Sequence, residues 1–465
     1  MRTDDIVIEH DQSLLTRWRI WYFLALALLA ISLIGQQPIA FLAAFFVSLI
    51  AFVPDYWYRQ ALRHLVFTQG VSQHNVFFVD EVTLSMSIEN QKFLPLPWLQ
   101  VENPITPPLT LLRKRTMKLQ RVEHDTISST WLFWSFQRVT RSYRMLCQSR
   151  GIHVFGPIHM GSSDPFGWLD REARLPLYEM LLVYPLTVPL ETLGLASIRP
   201  QGEYATQRYL LEDPLRYAGV RDYVIGDDPR RIHWKASAHT GALRSKIYEP
   251  SSLRRLLVLL DVWNYSELVR GPDQDIQELT IAAAASIGVW ALEEGYLLGL
   301  LANCAIMTTP VDDEFSSSAL ADAEAAPIEH SPVGARIPFA SEHGQYERLL
   351  STLARLAPAI NVPIERLIES DEGLFSSGTT IILLSSTSSL SQRTLEGLVD
   401  LRRRGTVVYL ALTGGPTPVS TALPEQYNIP VFCLGGKEKW RELVTTARDR
   451  RSTAASTNTF SLQLA

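Results

Sequence analysis

From Ile20 to Pro54 the chain carries no charged residue. One helix of that length would run about 52 Å at ~1.5 Å per residue, against a hydrocarbon core of ~30 Å. The run is broken at Gly35-Gln36-Gln37-Pro38, a turn composition. The pattern therefore predicts two membrane helices, residues 18–34 and 38–58, joined by a tight loop. Trp18, Trp21 and Tyr22 at one end, and Tyr56, Trp57 and Tyr58 at the other, suit the bilayer interface. Arg17 and Arg19 precede the first helix, Arg59 and Arg63 follow the second, and the loop is uncharged. The positive-inside bias then puts both flanks in the cytoplasm, with the soluble bulk of a multi-pass cell-membrane protein. A cleaved signal peptide fits less well, because the leading residues carry Asp4, Asp5, Glu9 and Asp11 and a second apolar run follows at once. A buried hairpin of a soluble core also fits less well. Residues 41–53 are apolar on every face apart from Ser48, where a soluble helix would show a polar stripe.

The full 465 residues are enough for about three domains at ~150 residues each. Residues 1–64 form the N-terminus and the membrane hairpin. Residues 65–200 read as a β-sandwich-like domain: Val82, Leu84, Met86 and Ile88 alternate with Thr83, Ser85, Ser87 and Glu89, the period of a half-buried strand. Trp131 to Cys147 is a second β-rich run, and Gly151, Gly156-Pro157 and Asp164-Pro165-Phe166-Gly167 punctuate the rest. Residues 254–450 alternate strand and helix, the rhythm of an α/β domain with a parallel, doubly wound sheet. Residues 308–345 read as a flexible insertion and 451–465 as a disordered tail. Three scattered cysteines exclude a disulfide framework and a CxxC site. A net charge of −5 argues against a nucleic-acid-coating protein.

Residues 201–253 carry the distinctive signal. Between Arg216 and Arg255 there are nine Lys/Arg against four Asp/Glu, a cationic island in an acidic chain. Asp228 is a candidate N-cap with Pro229 at the first helical position. A short helix is expected to run to about His239, ended by Thr240-Gly241. Arg230, Arg231, Arg244 and Lys246 are candidates for internal salt bridges, and Trp234 for a core anchor. His233 and His239, six residues apart, face different sides of a helix and make a poor metal pair. No Gly-x-Ser-x-Gly elbow, phosphate-cradling loop or His-Glu-x-x-His is present.

The run resembles the signature of the domain of unknown function 58, a bacterial and archaeal membrane-associated family. The matching positions are Gly219, Arg221, Tyr223, Gly226, Asp227, Arg231, Ile232, Trp234, Ala238, Thr240 and Gly241. Arg150-Gly151 and the Asp164–Gly167 turn resemble the family's lead-in. His233 and His239 depart from the usual Asn or Asp and Arg. The resemblance implies a von Willebrand A-like domain after the signature, with Asp261 opening its metal-ion-dependent adhesion site, Asp-x-Ser-x-Ser. Here Trp263 and Tyr265 occupy the serine positions, so no metal and no cofactor are expected.

The resemblance further implies a non-enzymatic scaffold or adaptor working with a MoxR-type AAA+ ATPase and other membrane proteins in assembly or maturation of envelope proteins. Its interaction residues would be Arg221, Tyr223, Gly226, Asp227, Arg230, Arg231, Trp234, Lys235, Thr240 and Gly241. Two alternatives are a hydrolase built on Asp227, Asp228 and His233, and an anionic-lipid-binding module using residues 216–255.

Overall fold

The computed structural model describes residues 12–36, 38–107, 109–111, 120–123, 126–164, 167, 170–195, 211–225, 227–251, 254–262, 273–307, 334–370, 374–415, 424 and 426–461. Two compact units emerge. One takes residues 1–185, 308–329 and 450–465, the other residues 186–307 and 330–449. The sandwich boundary expected at residue 200 is thus corrected: Leu190–Leu193, a 3-10 turn, already belongs to the second unit.

The first unit begins with α1 (Gln12–Gly35) and α2 (Pro38–Gln60). Both run past the expected bounds, because no breaker stands before Ile20 and none between Tyr58 and Gln60. Residues Phe41–Gln60 form a helix long and apolar enough to cross a membrane, while the apolar stretch of α1, Ile20–Gly35, is shorter. The hairpin is packed inside out. Ala25, Ser32, Ala44 and Ala51 are buried, whereas Phe23, Leu33, Phe41, Leu42, Phe45 and Phe52 face outward. Small residues between helices and bulky apolar ones outside are what a lipid solvent selects.

Among the described residues the strands that follow are β1 (Leu65–Val71), β2 (Asn75–Val76), β3 (Glu81–Asn90), β4 (Leu96–Thr106), β5 (Thr110–Leu111), β6 (Gln120–Glu123), β7 (Thr126–Phe133), β8 (Arg138–Leu146), β9 (Gly151–Phe155), β10 (Ile158–Ser163), β11 (Asp170–Leu175) and β12 (Glu179–Val183). One sheet runs β1-β3-β8-β5, the other β11-β10-β4-β9-β12-β2, with β7 on β4 and β6 on β7. Val82, Leu84, Met86 and Ile88 point inward as their alternation requires. They share one core with Leu99, Val101, Trp131, Phe133 and Phe155 of the other sheet. The run from Trp131 to Cys147 turns at residues 134–137, so it supplies two strands, one to each sheet.

The second unit contains a two-stranded hairpin, β13 (Leu211–Asp222) and β14 (Arg244–Ser251), with α3 (Trp234–Thr240) between them. It also holds a larger sheet, whose strands are β15 (Arg255–Leu260), β16 (Leu297–Ala302), β18 (Ala335–Ala340), β20 (Thr379–Ser386), β21 (Val407–Thr413) and β22 (Val431–Gly435). β17 (Cys304–Ile306) and β19 (Leu356–Asn361) pair separately. The helices are α4 (Gln274–Glu293), α5 (His343–Ala354), α6 (Ile364–Ser370), α7 (Gln392–Arg403) and α8 (Lys437–Ser461).

The large sheet is ordered β18-β16-β15-β20-β21-β22. All its pairs are parallel except β16 with β18, which corrects the expectation of a wholly parallel sheet. Residues 335–345 are therefore an edge strand and the start of a helix, not part of an insertion; residues 308–333 lie outside the described residues. The expected disordered tail is also corrected. α8 continues to Ser461, because nothing between Lys437 and Ser461 is a glycine or proline that would stop it. Residues 462–465 lie outside the described residues. β20 is buried throughout and β15 at every residue after Arg255, as strands covered on both faces must be. Leu257, Leu259, Ile381 and Leu383 pack with Ile364, Leu367, Leu395 and Leu398 of α6 and α7.

Candidate functional site

The hairpin is built by local chemistry. Val220 pairs with Lys246, Arg221 with Ser245 and Asp222 with Arg244, and Arg244 NH1 meets Asp222 Oδ1 at 2.6 Å. Beyond Asp222 the chain turns on Asp227. Arg221 NH2 donates to Asp227 Oδ1 at 2.6 Å, the Val224 amide donates to Oδ2 at 3.1 Å, and Tyr223 OH donates to the Asp227 carbonyl at 3.2 Å. The Arg221 guanidinium, aided by the Val224 amide, holds the Asp227 carboxyl below its ordinary value of 3.8. Such a carboxylate stays ionised and fully engaged, the opposite of a general acid.

The single helix expected from Asp228 to His239 is corrected: the segment divides in two. Asp228 Oδ1 accepts the Arg230 amide at 3.0 Å and caps a 3-10 turn over Pro229–Arg231. The chain extends at Ile232, then His233 caps α3, its Nδ1 accepting the Ala236 amide at 3.1 Å. Ser237 Oγ donates to the His233 carbonyl and accepts the Arg244 amide, at 3.0 and 2.9 Å, tying α3 to β14. Thr240 Oγ1 bonds back to the Ala236 carbonyl at 3.0 Å, and Gly241 ends the helix at φ 68°, a left-handed position suited to glycine. Gly226 lies outside the described residues.

Asp227, Asp228 and His233 are therefore not brought together; each serves a different stretch of backbone. The hairpin presents apolar and basic side chains to solvent, along with Asp222 and Asp228. Ile225 is 98% exposed, Trp234 69%, and Val224 and Leu243 are also exposed, with Arg230 and Lys235 beside them in sequence. Trp234 as a core anchor is thus corrected: α3 is only seven residues long, and its first residue is left largely exposed.

A second polar centre lies at the carboxyl end of the large sheet. From β15 the chain steps outward to β16 and β18, then returns across to β20, so the order reverses beside β15. Crevices at such reversals are where open α/β sheets bind ligands. Asp261, directly after β15, is only 4% exposed. Asn303 Nδ2 donates to its Oδ1 at 2.6 Å, while Ser385 and Ser389 hydroxyls donate to its Oδ2 at 2.8 and 2.9 Å. Asn303 follows β16, Ser385 is the penultimate residue of β20 and Ser389 lies just beyond it, so the two strands flanking β15 supply the partners. Among the described residues no three His, Cys, Asp or Glu side chains group as metal ligands. Trp263, Asn264, Tyr265 and Ser266 lie outside the described residues.

Residues 219–359, from the hairpin through the first half of the large sheet, match the family model "Protein of unknown function DUF58". The match spans less than a third of the chain. The chain is 23% identical over 221 residues to the uncharacterized protein YeaD of Bacillus subtilis (strain 168), covering 48% of this chain and 51% of YeaD. The chain thus spans about half the length of this relative. Solved structures with weak similarity include a cohesin module of a Clostridium perfringens family 33 glycoside hydrolase, 10% identical. It covers 26% of this chain and 96% of the module, at a TM-score of 0.19. Spo0M of Bacillus subtilis is 8% identical, covering 26% of this chain and 49% of its own, at 0.16. Within the DUF58 region the sequence singled out the residues that build the turn. It missed the Asn303, Ser385 and Ser389 partners of Asp261, for which a serine-rich stretch after an apolar strand was the available signal.

Proposed function

We propose that the protein is a membrane-anchored scaffold or adaptor that grips protein partners and transforms no molecule. The reading has α1 and α2 as a double-pass anchor with the soluble parts cytoplasmic. Its support is the inside-out packing of the hairpin and the arginines on its flanks. The observation that carries the adaptor reading is the DUF58 hairpin. Its turn is held rigid by Asp227, Asp228 and His233, and it leaves Ile225 and Trp234 bare beside Arg230 and Lys235. An exposed aromatic with cationic neighbours is the composition of an interface hot spot, not of a reaction centre.

By family resemblance the partner is a MoxR-type AAA+ ATPase. The six-stranded order with an antiparallel edge strand, and Asp261 after the central strand, support a von Willebrand A-like reading of the large sheet. In that reading hydroxyl and amide side chains surround the acidic position.

The test is co-purification of the full chain in mild detergent. The wild type should retain an ATPase that Ile225→Asp with Trp234→Ala releases. Retention unchanged by that pair removes the hairpin from the interface. Turnover by the purified protein that disappears in Asp227→Asn would replace the adaptor reading with an enzymatic one.

A further inference from the structure

The first unit exposes three aromatic rings on two adjoining loops. Phe93, between β3 and β4, is 81% exposed; Trp134 and Phe136, between β7 and β8, are 67% and 68% exposed. Leaving one such side chain in water forgoes roughly 1.5–3 kcal/mol of burial. The loops are nonetheless rigid. Asn90 Nδ2 donates to the Leu94 and Trp134 carbonyls at 2.9 and 3.0 Å, and the Trp134 amide donates to Gln137 Oε1 at 2.9 Å. The Phe136 amide donates to the Lys92 carbonyl at 3.3 Å, and Ser135 Oγ donates to the Phe93 carbonyl. Phe136 is held at φ 56°, a left-handed conformation that a bulky side chain rarely adopts. Observed strain of this kind at a bare aromatic points to function.

The same loop is tied to α2. Lys92, the neighbour of Phe93, turns inward, and its ammonium donates to the Gln60 and Arg63 carbonyls, each at 2.8 Å, and to the Ala61 carbonyl. Arg171 of β11 donates to the Tyr58 and Arg59 carbonyls at 2.6 and 2.8 Å. The last carbonyls of α2 are thus capped by two basic side chains of the sandwich, as helix C-termini favour. The apolar stretch of α2 ends at Gln60, and Tyr56 and Trp57 lie one turn before it. Lys92 therefore sits at the level where that helix leaves the apolar zone, and Phe93 adjoins it. Arg63, exposed, adds a basic side chain at the same junction.

We propose that Phe93, Trp134 and Phe136 form an interfacial wedge that seats the sandwich on the lipid surface beside α2. Aromatic rings gain most at the headgroup level, where the ring is dry and its edge meets polar groups. The sandwich is then held at two points, the hairpin and the wedge, which fixes its tilt to the bilayer. The inference rests on the membrane reading of α2.

The test uses the full chain with Cys433→Ser, since Cys433 is the exposed thiol while Cys147 and Cys304 are buried. Single cysteines at Phe93→Cys, Trp134→Cys, Ser85→Cys and Phe45→Cys are labelled with an environment-sensitive fluorophore. Each labelled chain is reconstituted into phosphatidylcholine/phosphatidylglycerol vesicles carrying nitroxide lipids. A shallow nitroxide should quench the probes at 93 and 134 several-fold more than the probe at 85, on the exposed sheet face. A deep nitroxide should quench the probe at 45. Quenching at 45 with none above the Ser85 level at 93 and 134 overturns the wedge and leaves the anchor standing; this is also the result if those rings serve a protein partner. No quenching at 45 overturns the anchor, and the wedge with it.

Discussion

Asn303 holds Asp261 through its amide at 2.6 Å and takes the Val262 amide on its own carbonyl oxygen at 2.8 Å. One side chain after β16 thus fixes the chain leaving β15. Removing it by Asn303→Ala leaves a buried carboxylate oxygen and a buried amide without these partners, at a cost of about 1–3 kcal/mol. Asp261→Asn keeps an acceptor for Asn303, and the Ser385 and Ser389 hydroxyls can rotate to accept, so it should lose less than Asp261→Ala. Chemical denaturation of the three variants checks the ranking.

Asp227 should govern the turn and its response to acid. The carboxyl is held low by Arg221 first and the Val224 amide second, so its closure is intact above the ordinary value of 3.8 and lost as pH falls through the depressed one. Asp227→Ala should therefore speed hydrogen exchange of the Val224 amide at neutral pH. The wild type should show the same acceleration only well below pH 3.8. Equal exchange in both proteins at neutral pH would contradict this account.

Burial, with the Arg171 charge beside it, pushes the Lys92 ammonium from 10.5 down to about 7. Between those values the unfolded chain binds a proton that the folded chain has released. Folding stability from this group therefore rises with pH across that window and is flat below it. Thermal unfolding of the full chain in detergent should show wild type gaining on Lys92→Met between pH 7 and 10. A constant difference would mean that Lys92 is charged throughout.

Gly156 has φ 111°, and a Cβ built there would lie 2.2 Å from the Leu177 carbonyl oxygen. Both the backbone conformation and the space exclude a side chain. Gly156→Ala should cost more than about 2 kcal/mol in the sandwich, read as a lower unfolding midpoint. Gly161→Ala is the control, since nothing stands within 4 Å of its added carbon.

Features governed by near neighbours were legible. The alternation from Val82 to Ile88 marked a strand because one face of each sheet meets the shared core. Asp228, Pro229 and Gly241 marked a cap, a helical start and a stop because each acts within a few residues. Trp234 was misread because a large aromatic is usually buried; whether a second layer covers it depends on what packs over α3. β19 and α6 were missed because Leu356–Ser370 interleaves prolines with apolar residues and shows neither period cleanly.

The sequence by itself determined the apolar double run, the alternating strands, the break between helices and the caps of the DUF58 turn. These are set by solvent transfer and by hydrogen bonds that close over a few residues. Only the tertiary structure decided that β18 runs against β16, that Ser385 and Ser389 reach Asp261, and that Lys92 and Arg171 cap α2. Each joins residues about thirty or more apart in the chain. Such pairings depend on where the backbone returns, which is fixed by how whole faces bury against one another and not by any local run of residues.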